Sequence, residues 1–162
     1  MILIKNAPLY IEYGAKSAEL LAQTDYHVHY ARALSEGHIC HNELKEENLP
    51  IHEGVCHIIN WQDACVDVQL TDFANFLRRY ARRSFRELHP KKIMEIYDRI
   101  CPLPKMGSEI IFAQLLHPWQ FIKIVRQYHS KKRGWTPAAI MSRMVGLLED
   151  REGYDEYIGG VV

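Results

Sequence analysis

One eight-residue stretch, His41-Asn42-Glu43-Leu44-Lys45-Glu46-Glu47-Asn48, gathers an imidazole, three carboxylates, an ammonium and two carboxamides. Groups of these types serve phosphoryl transfer, a reaction that is mostly positioning and charge neutralisation. A carboxylate has to accept or orient the proton of an acceptor hydroxyl. An amide oxygen and a second carboxylate have to hold Mg²⁺ against the phosphates. Downstream, Ile58-Ile59-Asn60-Trp61 adds a further carboxamide behind an apolar pair.

Two other chemistries compete for attention. His38, Cys40, His41, His52, Cys56 and His57 put six possible zinc ligands around one short region. Structural zinc sites use C-x₂-C or H-x₃-H pairs, which are missing here, and adjacent Cys-His pairs on a strand point to opposite faces. Buried thiols beside an ordinary histidine are the simpler reading, and a zinc-stabilised interaction module is the weaker alternative. The second is a run of arginines, Arg78, Arg79, Arg82, Arg83 and Arg86. On a helix most of them share the face opposite the apolar stripe, where solvent, a phosphate or an acidic partner could meet them.

The elements that must position these groups are mostly helical. The spacing predicts a helix from about Ala15 to Leu34, with Leu20, Leu21, Val28 and Ala31 on one face and Gly37 as its stop. His38 to Cys40 form a short extended approach to the loop. Leu49 to Asn60 read as a small β-hairpin turning at His52-Glu53-Gly54, with Pro50 restricting its first strand to an edge. Leu70, Phe73, Ala74, Leu77, Tyr80 and Ala81 then mark a helix with a buried stripe. Pro90 opens another through Ile93, Ile96, Tyr97 and Ile100. Ser108 is the expected cap of the next, Pro118 should break or kink it, and a continuation carries Phe121, Ile122, Val125 and Tyr128. Thr136-Pro137 caps and starts a last helix with Ile140, Met141, Met144 and Leu148 inward. Residues 154–162 read as a flexible tail or a segment that pairs with a partner.

At 162 residues, 48% hydrophobic and 25% charged with zero formal net charge, the chain has the balance of one ordinary globular domain, 1–162. Neutrality argues against a nucleic-acid or anionic-membrane partner. No apolar run approaches the ~20 residues of a membrane helix, and no secretory signal is visible. The four cysteines, Cys40, Cys56, Cys65 and Cys101, are expected as free buried thiols in a reducing compartment.

The loop H-N-E-L-K-E-E-N resembles the H-R-D-L-K-P-E-N form of the kinase-like catalytic loop. I-I-N-W stands where the aminoglycoside phosphotransferase/choline kinase type has I-D-W or I-D-F. Leu70-Thr71-Asp72-Phe73-Ala74 is similar to the D-L-A segment behind the site, with Asp67 at an acidic position of one branch. Asp72 to Arg79, Cys101-Pro102-Leu103-Pro104 with Glu109, Leu116-His117-Pro118-Trp119 and Gln127-Tyr128 extend the match. From about Ala15 to Trp135 the chain resembles the C-terminal lobe of CotS-type spore-coat proteins in that superfamily.

The resemblance implies a mainly α (α+β) fold, a kinase-like C-lobe whose small hairpin carries the catalytic-loop motif. It implies Glu43 at the base position with Lys45 beside it, Asn48 and Asn60 as the Mg²⁺ and nucleotide ligands, and His41 as a structural residue. Asp72 would brace the loop or cap its helix. Both acids are altered. Glutamate displaces its carboxylate by roughly one C–C bond, about 1.5 Å, and a 1 Å error can cost about a hundredfold. Asparagine at position 60 offers Mg²⁺ a neutral oxygen where it favours anionic ones.

The implied function is therefore a spore-coat-associated pseudokinase or scaffold. The alternative is an ATP- and Mg²⁺-dependent small-molecule phosphotransferase. The N-terminal nucleotide lobe of such kinases is expected to be absent, since only helical sequence precedes His41 and neither Lys5 nor Lys16 has a strand context. Implied partners are a separate N-lobe, a second copy or other coat proteins, in the mother-cell cytoplasm or the spore coat.

Overall fold

A computed structural model describes residues 2–82, 88–130 and 136–162. Eight α-helices and two minimal β-ladders make up this part of the chain. Helix α1 (Ile2–Ala22) starts well before the expected Ala15 and runs through Pro8 and Gly14. Leu3, Tyr10 and Ser17 explain why, because two-turn spacing puts all three on one buried face. Tyr10 stacks on Phe121 with ring centres 4.4 Å apart, and the Ser17 hydroxyl donates to the carbonyl of Ala113 at 2.7 Å. These contacts outweigh the backbone donor that proline removes.

The expected continuous helix to Leu34 is in fact broken at residues 23–25, and α2 (Tyr26–Glu36) is separate. Thr24 makes the break: its hydroxyl donates to the carbonyl of Leu21 and accepts from the Tyr26 N–H. A threonine bonding its own backbone competes with the helix in this way. Val28, Ala31 and Leu34 consequently face solvent instead of the core, while Ala33 is buried.

Helix α3 (Leu70–Arg82) buries Leu70, Phe73, Ala74, Leu77 and Ala81, as its spacing predicts. Helix α4 (Pro90–Ile100) begins at the expected proline, with the His89 ring accepting from the Lys91 N–H. Its inward face differs, with Met94 buried and Ile96 and Ile100 exposed. Helix α5 (Gly107–Leu116) is capped at Met106, in a left-handed conformation, and not by Ser108. Gly107 is already helical because it packs tightly on Leu103 and Pro104. Pro118 ends α5 and α6 (Trp119–His129) follows, with Ile124 buried beside Phe121 and Tyr128 partly exposed. Helix α7 (Pro137–Glu149) has the predicted cap, Thr136 accepting from the Ala139 N–H, and buries Ile140 and Met144 while Met141 stays exposed.

The C-terminus is not a loose tail. Residues 151–159 form α8 (Arg151–Gly159), and Tyr154, Tyr157, Ile158 and Val161 are buried. Their i, i+3, i+4, i+7 spacing was a legible helical signal masked by Gly159-Gly160 and the paired valines. Gly160 lies so close to the start of α4 that a Cβ would sit 2.9 Å from the His89 ring and 3.0 Å from Pro90. The core has two parts. One joins α3, α5 and α8 through Leu77, Ile110, Ile111, Leu115 and Ile158. The other joins α1, α6 and α7 through Leu3, Tyr10, Phe121, Ile124 and Met144. Together they leave one edge of the helical body to carry the loop.

Candidate functional site

The loop hangs between two ladders of two residues per strand. Strand β1 (Ile39–Cys40) pairs antiparallel with β4 (Cys65–Val66), in the register Ile39↔Val66 and Cys40↔Cys65. The extended approach expected at 38–40 therefore has a partner that the sequence reading did not supply. Strands β2 (Ile51–His52) and β3 (Val55–Cys56) form the predicted hairpin. Glu53 and Gly54, at φ 50° and 78°, both take the left-handed conformation that a two-residue hairpin turn demands. Bonds from the His57 N–H to Pro50 and from the Ile59 N–H to Asn48 carry the pairing back to the loop.

Ladders this short cannot hold a loop by themselves. Side chains do so. The carboxylate of Asp72, in the first turn of α3, accepts the N–H groups of His41 at 2.5 Å and Asn42 at 2.7 Å. Asp72 thus acts as the brace, and it makes no cap for its own helix among these bonds. Asn42 stands at φ 63°, which suits asparagine and aims both amides at one acid. His41, 2% exposed, fixes the other side. Its Nε2–H donates to the Ile59 carbonyl at 2.8 Å, so its Nδ1 is free to accept the Glu43 N–H at 3.2 Å. Trp61 meets the imidazole edge-on at 4.9 Å.

The residues expected to carry chemistry converge. Asn48, 1% exposed, donates from Nδ2 to the Glu43 carbonyl at 2.9 Å. That bond turns its Oδ1 toward Asn60, whose Nδ2 donates to it at 2.8 Å. Asn60 is itself held left-handed, at φ 65°. The Glu43 carboxylate lies 3.2 Å from the Lys45 ammonium and 3.8 Å from the guanidinium of Arg79. Glu43, Lys45, Asn48, Asn60, His41 and Asp72 are all within this one cluster.

Arg79 is the member that sequence reasoning missed. It sits two turns along α3 from Asp72, on the same face, so the brace that anchors the loop also brings Arg79 to Glu43. The arginine run is thus not simply a solvated face. Arg78 is pinned as well, to Asn75 Oδ1 and the Gln114 carbonyl, both at 2.6 Å. Arg83 and Arg86 lie outside the described residues.

The cysteines are free, though only Cys40 is fully buried, whereas Cys56 and Cys65 are exposed. Burial, with Asp72 and Asp67 nearby, pushes the Cys40 thiol up to about 12, and it donates to the Val68 carbonyl. A thiol so shifted is a packing group. Among the described residues, no three His, Cys, Asp or Glu side chains gather to hold a metal ion. Of the six residues weighed as zinc ligands, Cys40, His52 and Cys56 lie on strands, and His38, His41 and His57 lie just outside them.

A family model described as "Spore coat putative kinase YutH" matches residues 8–161. The chain belongs to this spore coat YutH family. Among solved structures, the YutH-family chain is similar to the crystal structure of an aminoglycoside phosphotransferase from Alicyclobacillus acidocaldarius. The TM-score is 0.77 at 16% identity, over 99% of this chain and 48% of the other. The match shows a shared fold, mainly helical α+β, and this chain spans about half the length of that phosphotransferase. No curated protein sequence matches it. The YutH-family fold and the CotS-type, kinase-like resemblance agree with one another. No helix among the described residues is long and apolar enough to cross a membrane.

Proposed function

We propose that this chain is a degenerate kinase-like lobe, kept in the spore coat or the mother cell as a binding scaffold and not as a phosphotransferase. The observation that carries this reading is the Asn60–Asn48 bond. A divalent ion between these two residues would need the Asn48 oxygen and an anionic oxygen beside it. Instead, one carboxamide satisfies the other. The pair offers Mg²⁺ no charge and one oxygen already in use, so it does not fit the ion. Glu43 supports the same reading, since its carboxylate is engaged by Lys45 and Arg79 and is not left open to an acceptor hydroxyl.

The test is a gain of function at one position. Titration calorimetry of the native chain with Mg²⁺ or Mn²⁺ should show no binding, and Mg²⁺ with ATP should give no thermal shift. Asn60→Asp should acquire divalent-ion binding, because it restores a carboxylate next to the Asn48 oxygen. Mg²⁺-dependent ATP binding by the native chain, abolished by Asn48→Ala, would overturn the proposal.

A second reading rests on the hairpin side. Ile51, Val55, Ile58, Ile59 and Trp61 are exposed together next to the loop. Apolar surface of that kind marks an interaction face. On this reading a separate nucleotide-binding lobe or a second copy covers it, and Glu43 serves as base with Asn48 and Asn60 as ligands of Mg²⁺ and ATP. Light scattering that finds only monomer at high concentration, together with no ATP turnover in lysate-free mixtures, would remove this alternative.

A further inference from the structure

A groove of about 1140 Å³ opens beside the loop, between Asn42 and Glu43 on one side and α3, α5 and α6 on the other. Its walls differ in sign. Among the described residues, the three carboxylates that line it, Glu43, Asp63 and Asp67, belong to the loop side. The helical side contributes Arg78, Arg79, Lys123 and Arg126. Helix α3 carries no acid after Asp72, and α6 carries none.

Two of the loop carboxylates are already engaged. Glu43 faces Lys45 and Arg79, and Asp67 Oδ1 accepts the Tyr26 hydroxyl at 2.8 Å and the Val68 N–H at 2.7 Å. The cations opposite are differently placed. Arg78 is a fixed charge, held by Asn75 and the Gln114 carbonyl. Burial and that charge lower the pKa of His117, which also lines the groove, so its ring stays neutral and keeps an acceptor and a donor. Lys123 and Arg126 are one turn apart on α6, and among the described residues neither meets a carboxylate.

We infer that this groove binds a small hydroxylated anion, its carboxylate or phosphate held by Lys123, Arg126 and Arg78 and its hydroxyls turned toward Glu43. At about 1140 Å³ the groove is just above the usual size of small-molecule sites, roomy enough for a small hydroxylated anion with water beside it. Guanidinium groups in a concave wall, here half-buried Arg78 beside exposed Arg126, are the usual recognition chemistry for planar carboxylates and phosphates. The inference goes beyond the reading of the loop as non-catalytic: it uses the position of Glu43 and requires neither metal nor nucleotide.

The test is calorimetric titration of the whole chain at low salt, free of Mg²⁺ and nucleotide. Glucose 6-phosphate and gluconate are the two anionic probes, glucose the uncharged control and spermine the cationic one. One or both anions should bind, and which of them binds identifies the head group. Glucose and spermine should not. The Lys123→Gln/Arg126→Gln double variant should weaken anion binding by about tenfold or more, equivalent to removing one or two charge-assisted contacts. Both side chains are exposed, so circular dichroism and the thermal midpoint should match the parent. Absence of binding by either anion, unchanged affinity in the double variant, or preference for spermine would overturn the inference. None of these results bears on divalent-ion binding at Asn60, so the two proposals fail separately.

Discussion

At the scale of single residues, the loop depends on Asp72 more than on any group that once suggested catalysis. Its carboxylate collects two backbone donors that have no other partner in the described structure. Bonds to a charged acceptor contribute about 1.5–3 kcal/mol, and losing the acceptor leaves both amides unmatched. Asp72→Ala should therefore lower stability by about 2–3 kcal/mol, measured as a shift of the urea midpoint. Hydrogen exchange at His41 and Asn42 should speed up in the same variant. By contrast, Glu43→Gln removes only a half-exposed ion pair, which is worth little, and should move the midpoint barely at all. This contrast separates the residue that builds the loop from the residue that would have done chemistry on it.

At the scale of elements, what the sequence disclosed was decided by whether a local signal stood alone. Pro90, Thr136-Pro137, Pro118 and the α3 stripe each act within one or two turns, and each element begins or ends where they require. Glu53-Gly54 likewise sets the hairpin. The early part of α1 was illegible because Pro8 and Gly14 argue locally against a helix that Tyr10 and Ser17 secure through distant partners, Phe121 and Ala113. The β1–β4 ladder was illegible for a related reason: two residues per strand leave no periodicity to read. In the site, the H-x-E-x-x-x-x-N spacing located Glu43 and Asn48 and the Leu70-Thr71-Asp72-Phe73-Ala74 segment located Asp72, but the Asn60–Asn48 bond and the approach of Arg79 depend on tertiary geometry. Helix α8 gives the element-level prediction. Tyr154 is buried and its hydroxyl donates to the Leu115 carbonyl at 2.9 Å. Tyr154→Phe should cost about 1 kcal/mol and Tyr154→Ala about 3–5 kcal/mol by denaturant unfolding. If both were neutral, α8 would not be part of the core.

For the whole molecule, ionisable groups set a window of pH. Burial, then the bond to Asp155, raises the Tyr13 pKa from 10.0 to about 12, and burial raises that of Tyr157 to about 12. Tyr26 and Tyr97 are pushed further up, chiefly by burial, then by Asp67 and Cys101 respectively. An unfolded chain loses these protons from about pH 10 while the folded one keeps them, so the unfolded state binds fewer protons and stability falls as pH rises past 10. His117 acts at the other end. Its lowered pKa means that the unfolded chain takes up a proton first, so its contribution is present above about pH 6.5 and is lost as pH falls below it. Urea midpoints should therefore be highest near neutral to mildly alkaline pH. Absorbance at the tyrosinate band should show ionisation of these tyrosines only with unfolding. A flat stability profile up to pH 11 would contradict the buried, protonated tyrosines. The suspension of the loop has a consequence for heredity. Because Asp72 and His41 hold the backbone, the identity of Glu43 is largely released from duty to folding. Mutations at that position are visible to selection chiefly through chemistry, so a lineage can exchange the side chain there while its descendants inherit the same architecture.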